Sequence, residues 1–163
     1  MSLFSFLASS LIVGLIATLF MDLWALIMSS FFNIKGLDYK ILGRWISLMS
    51  KGHFKHNNIL NMPAAVHEQL VGQMAHYIIG ILFAGILIII DVNCLVMPNL
   101  TLSLMIALLT LVAPFLIMQP CFGFGIAASK TQHPWHNRLK SLMAHIAYGI
   151  GLYLACHLIA IVK

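Results

Sequence analysis

Apolar residues fall into four long blocks, and the charged residues cluster between them. Leu3 to Phe32 holds a single charged residue, Asp22. Leu70 to Ile90 and Leu100 to Ile117 hold none, and Ser141 to Val162 has histidines but no Asp, Glu, Lys or Arg. A membrane-spanning helix needs about 20 mostly apolar residues at 1.5 Å rise each. The pattern therefore predicts an all-α fold: a single membrane domain whose four transmembrane helices, at about 3–32, 68–90, 99–119 and 138–161, pack as a bundle. The first block has no Lys or Arg ahead of it and is about twice the length of a signal-peptide core, so it is expected to remain as a helix. At that length it must tilt or protrude.

The connection at 33–67 has a pattern of its own. Asp38 is placed to cap a short helix over 39–49, with Ile41, Leu42, Trp45, Ile46 and Met49 on one face and Lys40, Arg44 and Lys51 elsewhere. Tryptophan, tyrosine and basic residues together suit an interfacial helix in the headgroup region. A cap packed on the bundle suits them equally. Residues 52–63 and 120–137 read as loops.

Composition agrees with the pattern. Of 163 residues, 61% are hydrophobic and 8% are charged, against about 25% charged in soluble domains. Too little polar surface remains to cover a globule in water. The net charge of +5 does not point to nucleic acid, because the basic residues flank the apolar blocks, where anionic lipid headgroups explain them. Lys35, Lys40, Arg44, Lys51 and Lys55 precede the second block; Lys130, Arg138 and Lys140 precede the fourth; Asp91 to Asn99 has none. By the positive-inside rule both basic connections are cytoplasmic and both termini face outward, with Lys163 alone against it. The expected partners are the bilayer, anionic headgroups on the cytoplasmic side and other copies of the chain. Three cysteines lack metal-type spacing, and Cys94 and Cys156 are not expected to be bridged.

Helices 2 and 4 align at an offset of 69: His67 to Ile81 lies over His136 to Ile150 with seven of fifteen positions identical, including both His pairs, the Met pair and the Gly pair. Helices 1 and 3 align weakly, through Ile16-Ala17 with Ile106-Ala107 and Leu26 to Met28 with Leu116 to Met118. The reading is two pseudo-repeated helical hairpins. Gly72, His76 and Gly80 are four apart and share a face, as do Ser141, His145 and Gly149. Such small residues either let helices approach or leave clearance for a ligand beside the imidazole.

Counted from the basic ends, Asp22, His76 and His145 lie roughly 10–15 Å into the membrane. An acid at the bilayer centre costs about 2.5–3.5 kcal/mol on insertion scales, so Asp22 needs a partner, and His76 or His145 is the expected one. Three readings compete. The Asp/His cluster binds or conducts a metal ion, a proton or haem; or it only holds the helices of a structural or accessory subunit together; or it belongs to an enzyme acting on lipid or quinone. Methionines at 21, 74 and 143 favour a soft ion such as Cu(I), although sequence neighbours face different ways on a helix. Matched histidines with flanking glycines would suit haem. Pro114 removes a backbone donor and frees the Thr110 carbonyl on helix 3. Glu68, on the Gly72 stripe, and Gln119 are further candidates for ligand or proton binding. His67 and His136 read as solvated interfacial residues, and His53 and His56 as loop residues. The stretch from Gly123 to Thr131 lacks the G-x-x-x-x-G-K-[ST] spacing of a phosphate loop and reads as a flexible interfacial turn, with a lipid phosphate contact as the alternative.

Met21-Asp22-Leu23-Trp24-Ala25, Leu37-Asp38-Tyr39 with Gly43-Arg44-Trp45, Gly52-His53-Phe54-Lys55-His56, Ala75-His76-Tyr77, Ala113-Pro114-Phe115 with Gln119-Pro120, and Gly125 to Thr131 form a recognisable ensemble. In these the chain resembles an uncharacterised family of bacterial inner-membrane proteins, known only as a domain of unknown function. The resemblance covers nearly the whole chain. It implies a single-domain, multi-pass inner-membrane protein, and carries no reaction or ligand.

Overall fold

The computed structural model describes residues 1–36 and 38–162; Leu37 and Lys163, both used above, lie outside the described residues. Among the described residues the regular structure is helical, without strands. It comprises α1 (Leu3–Phe32), α2 (Tyr39–Met49), a 3-10 turn (Ile59–Asn61), α3 (Glu68–Ile90), α4 (Leu100–Leu109), a π-helical stretch (Ala113–Met118), the single turn α5 (Gln119–Cys121), a second 3-10 turn (Ile126–Ala128) and α6 (Pro134–Val162). Four segments are long and apolar enough to cross a membrane: Leu3–Phe32, Glu68–Ile90, Leu100–Cys121 and Pro134–Ile161. Only 22–39% of their most apolar windows is buried, so most of that apolar surface looks outward. Leu19, Leu23, Leu82, Ile89 and Leu109 are all more than half exposed. Acyl chains solvate such a surface and water does not. The construction points to a membrane protein.

Local chemistry sets the helix ends. Asp38 Oδ1 accepts from the Lys40 amide at 3.0 Å and opens α2, and Asn99 Oδ1 accepts from the Leu102 amide at 3.1 Å and opens α4. Asn33 closes α1 in the left-handed region at φ 54°. Helix α6 starts at Pro134, ahead of the expected 138: proline at the first position fixes a helical φ where no amide donor is needed. The third span is not the continuous helix expected over 99–119. Regular α-helix ends at Leu109, and the chain resumes around Pro114 in π geometry, where the Gln119 amide donates to the Pro114 carbonyl five residues back. A proline cannot donate within a helix, and widening the turn is one way to re-pair the carbonyls it disturbs.

The chain divides into two compact units. The first comprises Met1–Gly36, Tyr77–Thr110 and the residues from Met143 onward; the second comprises residues 38–76 and Leu111–Leu142. In the first unit Val13 and Ala17 of α1, Ala84, Leu87 and Ile88 of α3, Ile106 and Ala107 of α4, and Tyr148, Leu152 and Ala155 of α6 form one buried core. Small residues recur in it, which lets the helix backbones come close without hydrophobic drive. Cys94 and Cys156 belong to this core as free thiols within hydrogen-bonding reach of each other.

In the second unit Leu42, Leu48, Ile59 and Phe122 are buried, with Trp45 edge-on to Phe122 at 5.4 Å between ring centroids. The buried face of α2 is Leu42, Gly43 and Leu48. Of the expected apolar face, Leu42 is buried and Ile41, Trp45, Ile46 and Met49 are half-buried, while Gly43 and Leu48, outside that face, are buried as well. Backbone covers Gly43: a Cβ there would overlap the Glu68 carbonyl oxygen, and a Cβ on Gly72 would overlap the Tyr39 carbonyl oxygen. Two glycines thus let α2 lie backbone to backbone on the first turns of α3.

Candidate functional site

Asp22 is half-buried on α1, and its Oδ2 accepts a hydrogen bond from the Tyr77 hydroxyl of α3 at 3.0 Å. The sequence singled out His76 and passed over the residue after it. Tyr77 fits the position because a phenol places one donor at the end of an otherwise apolar ring, so it serves the acid without adding a charge.

His145 on α6 reaches α4. Its Nδ1 lies 2.6 Å from Thr110 Oγ1 and 3.1 Å from the Ala107 carbonyl, while Thr110 Oγ1 donates to that same carbonyl at 2.6 Å. A carbonyl only accepts and the threonine proton is already committed, so both imidazole contacts are met together when Nδ1 carries the hydrogen. That tautomer leaves Nε2 as the basic atom of the neutral ring. Thr110 is thereby part of the site through its hydroxyl, a role not expected from the proline downstream.

The glycines sort into packing positions. A Cβ on Gly80 would overlap Thr18 Oγ1 of α1, and the Tyr148 hydroxyl of α6 donates to the Gly80 carbonyl. Three helices of the first unit therefore converge on one glycine. A Cβ on Gly149 would sit 2.9 Å from Ala107 Cβ. Haem clearance beside these glycines would need the volume that Thr18, Tyr148 and Ala107 occupy. Ser141 is half-buried on α6. Among the described residues no three His, Cys, Asp or Glu side chains group as they must to hold a metal ion.

His76 belongs to the second unit, where its ring lies against Tyr39 of α2 with centroids 4.7 Å apart. The same unit holds a two-pronged ion pair. Arg44 Nε and Nη2 donate to Glu68 Oε2 and Oε1 at 2.9 and 3.0 Å. Arg44 Nη1 also donates to the Met62 carbonyl at 3.0 Å, and Glu68 Oε2 accepts from the Ala65 amide at 3.0 Å. The side chains are only 15% and 11% exposed, so the pair is desolvated and its fork geometry and extra hydrogen bonds are what make it tolerable. The Glu68 hydrogen bonds hold the Arg44 pKa above its ordinary value, against the opposing effect of burial. Glu68, a candidate for ligand or proton binding, thus accepts three hydrogen bonds from protein donors. Gln119 is half-buried with Oε1 lacking a hydrogen-bond partner.

Helices able to cross a membrane, joined by polar contacts between spans, define the class: a small helical protein built for the bilayer. A family model described as "Protein of unknown function (DUF2938)" matches residues 11–159, and the chain belongs to that family. No curated protein and no solved structure matches it.

Proposed function

We propose that this is a multi-pass protein of the bacterial inner membrane whose intramembrane acid, Asp22, takes up and releases a proton. The observation that carries the reading is the Tyr77 hydroxyl 3.0 Å from Asp22 Oδ2 between two apolar helices. An acid retained in a span, at the insertion cost such a group incurs, marks a functional position more often than a packing one. The phenol steadies the carboxylate and holds no charge that would fix its protonation state permanently. His145, with Nδ1 occupied and Nε2 basic, is a further titratable group of the same unit. Of the ligands that an Asp/His site suits, the proton alone needs neither a three-ligand group nor free volume.

The basic connections lie in the cytoplasm in this reading, with α2 at the headgroups and both termini outside. The corresponding seats of Gly80 against α1 and Gly149 against α4 support two hairpins of similar build.

A second reading is favoured by the Tyr148 hydroxyl on the Gly80 carbonyl: the polar groups only hold the spans together in an accessory subunit. Asp22→Asn separates the two, because the amide still accepts from Tyr77 but cannot titrate. Infrared difference spectra of the purified protein across a pH step should show a carboxyl C=O band that Asp22→Asn removes while unfolding is unchanged. Absence of an Asp22 band at any pH would leave the accessory reading in place.

A further inference from the structure

A cavity of about 520 Å³ opens in the second unit between two loops, one at Lys55 to Asn57 and one at Pro120 to Lys130. Its walls have a consistent chemistry. Lys55 and Lys130 line it as exposed cations, Ser129 contributes a hydroxyl, and Gly123 and Gly125 contribute backbone; no acidic residue is among those lining it. His56 completes the wall at 8% exposure, and its Nε2 is buried with no hydrogen-bond partner. A buried polar nitrogen without a partner is destabilising, and such groups in folded proteins need a reason. A ligand oxygen would be one.

The loop is built to stay open. The His56 amide donates to the Cys121 carbonyl at 2.8 Å and the Ile59 amide to the Phe122 carbonyl at 2.9 Å, which tie the first loop to the end of the third span. A Cβ on Gly123 would overlap the Asn57 carbonyl oxygen, so the two loops touch through bare backbone. Ala127 and Ala128 both adopt positive φ, at 47° and 59°, a conformation that costs non-glycine residues energy. Arg138 Nε holds it by donating to the Ala127 carbonyl at 2.8 Å. Arg138 therefore positions the loop and leaves the ligand to the lysines.

We propose that this cavity binds a phosphate group, with Lys55 and Lys130 as counter-charges and Ser129 Oγ and His56 Nε2–H as donors. Two cations, two neutral donors and no carboxylate suit a compact polyoxyanion. Its volume admits a glycerophosphate headgroup as readily as a free phosphate, and Pro120 and Cys121 end a span where headgroups lie. The site is independent of the proton reading at Asp22.

The test uses full-length protein in a nonionic detergent, with phosphatidate against phosphatidylcholine, and inorganic phosphate against chloride at equal ionic strength. Retention is read by native mass spectrometry and affinity by calorimetry. Lys55→Gln/Lys130→Gln and His56→Gln should each weaken binding at least about tenfold. Lys35→Gln/Lys51→Gln, which removes the same charge outside the cavity, should change it little. The double lysine variants alter only exposed side chains, so they report even if His56→Gln fails to fold. Retention of phosphatidate alone assigns a lipid source, and competition by inorganic phosphate assigns a soluble one. The proposal is overturned if neither probe binds, or if the outside pair weakens binding as much as the cavity pair.

Discussion

The two compact units solve the same problem, polar groups among apolar helices, with opposite chemistry. In the first unit the hydrogen bonds described above join a charged or basic group, or a carbonyl, to a neutral hydroxyl: a phenol on Asp22, a threonine hydroxyl on His145, a phenol on the Gly80 carbonyl. In the second, a guanidinium and a carboxylate meet face to face at 2.9 and 3.0 Å, with backbone groups on both partners. The buried core of the first unit is apolar, so each additional charge there is uncompensated. The second carries loops and exposed cations, and its ion pair forms where Arg44 has backbone carbonyls within reach. Charge is spent where the backbone can share it, and single hydrogen bonds serve where it cannot.

That contrast can be broken by mutation. The largest effect is expected for Glu68→Gln, which strands a desolvated guanidinium and should cost about 3–5 kcal/mol of stability in reversible unfolding. Replacing both partners with apolar residues, Arg44→Met/Glu68→Leu, should recover most of it; failure to recover would mean the charge pair itself holds the unit. Gly43→Ala comes next, at about 1–3 kcal/mol, because its obstacle is the Glu68 backbone carbonyl. Gly80→Ala should cost a similar amount, yet Thr18→Ala should relieve it, since there the obstacle is a side chain. No side-chain truncation should relieve Gly43→Ala. The smallest effects are expected in the first unit: Tyr77→Phe and Thr110→Val should each cost about 0.6 kcal/mol and not more than about 1.7. A loss from Tyr77→Phe equal to that from Glu68→Gln would erase the distinction between the units.

Much of the helical frame was legible because apolar block length carries it, and a cap such as Asp38 marks an edge. Positions where one residue alters helix geometry were harder. Pro114 was visible, but whether a proline kinks, ends or widens a helix depends on what carbonyl acceptors its neighbours find. The burial of Gly43 on α2 was not legible because hydropathy scores glycine as nearly neutral, while the structure uses it for closeness. At the candidate site the sequence identified Asp22 and His145 as polar residues in apolar spans, and Glu68 at a helix start. It did not supply Tyr77, Thr110, Tyr148 or Arg44. Those partners lie 24 to 68 residues away along the chain from what they bind, and no periodicity links positions on different helices. Tyr77 did carry a signal: a phenol directly after an intramembrane histidine points to the adjacent face.

The reciprocal glycines have one more consequence. With Gly43 seated on Glu68 and Gly72 seated on Tyr39, the two helices are keyed at a single register, like a tooth in a notch. Adding one residue to α2 ahead of Gly43 would swing it about 100° around the axis and offer a bulky side chain to the crossing. Helix α2 can therefore neither slide nor roll along α3 without first coming off it.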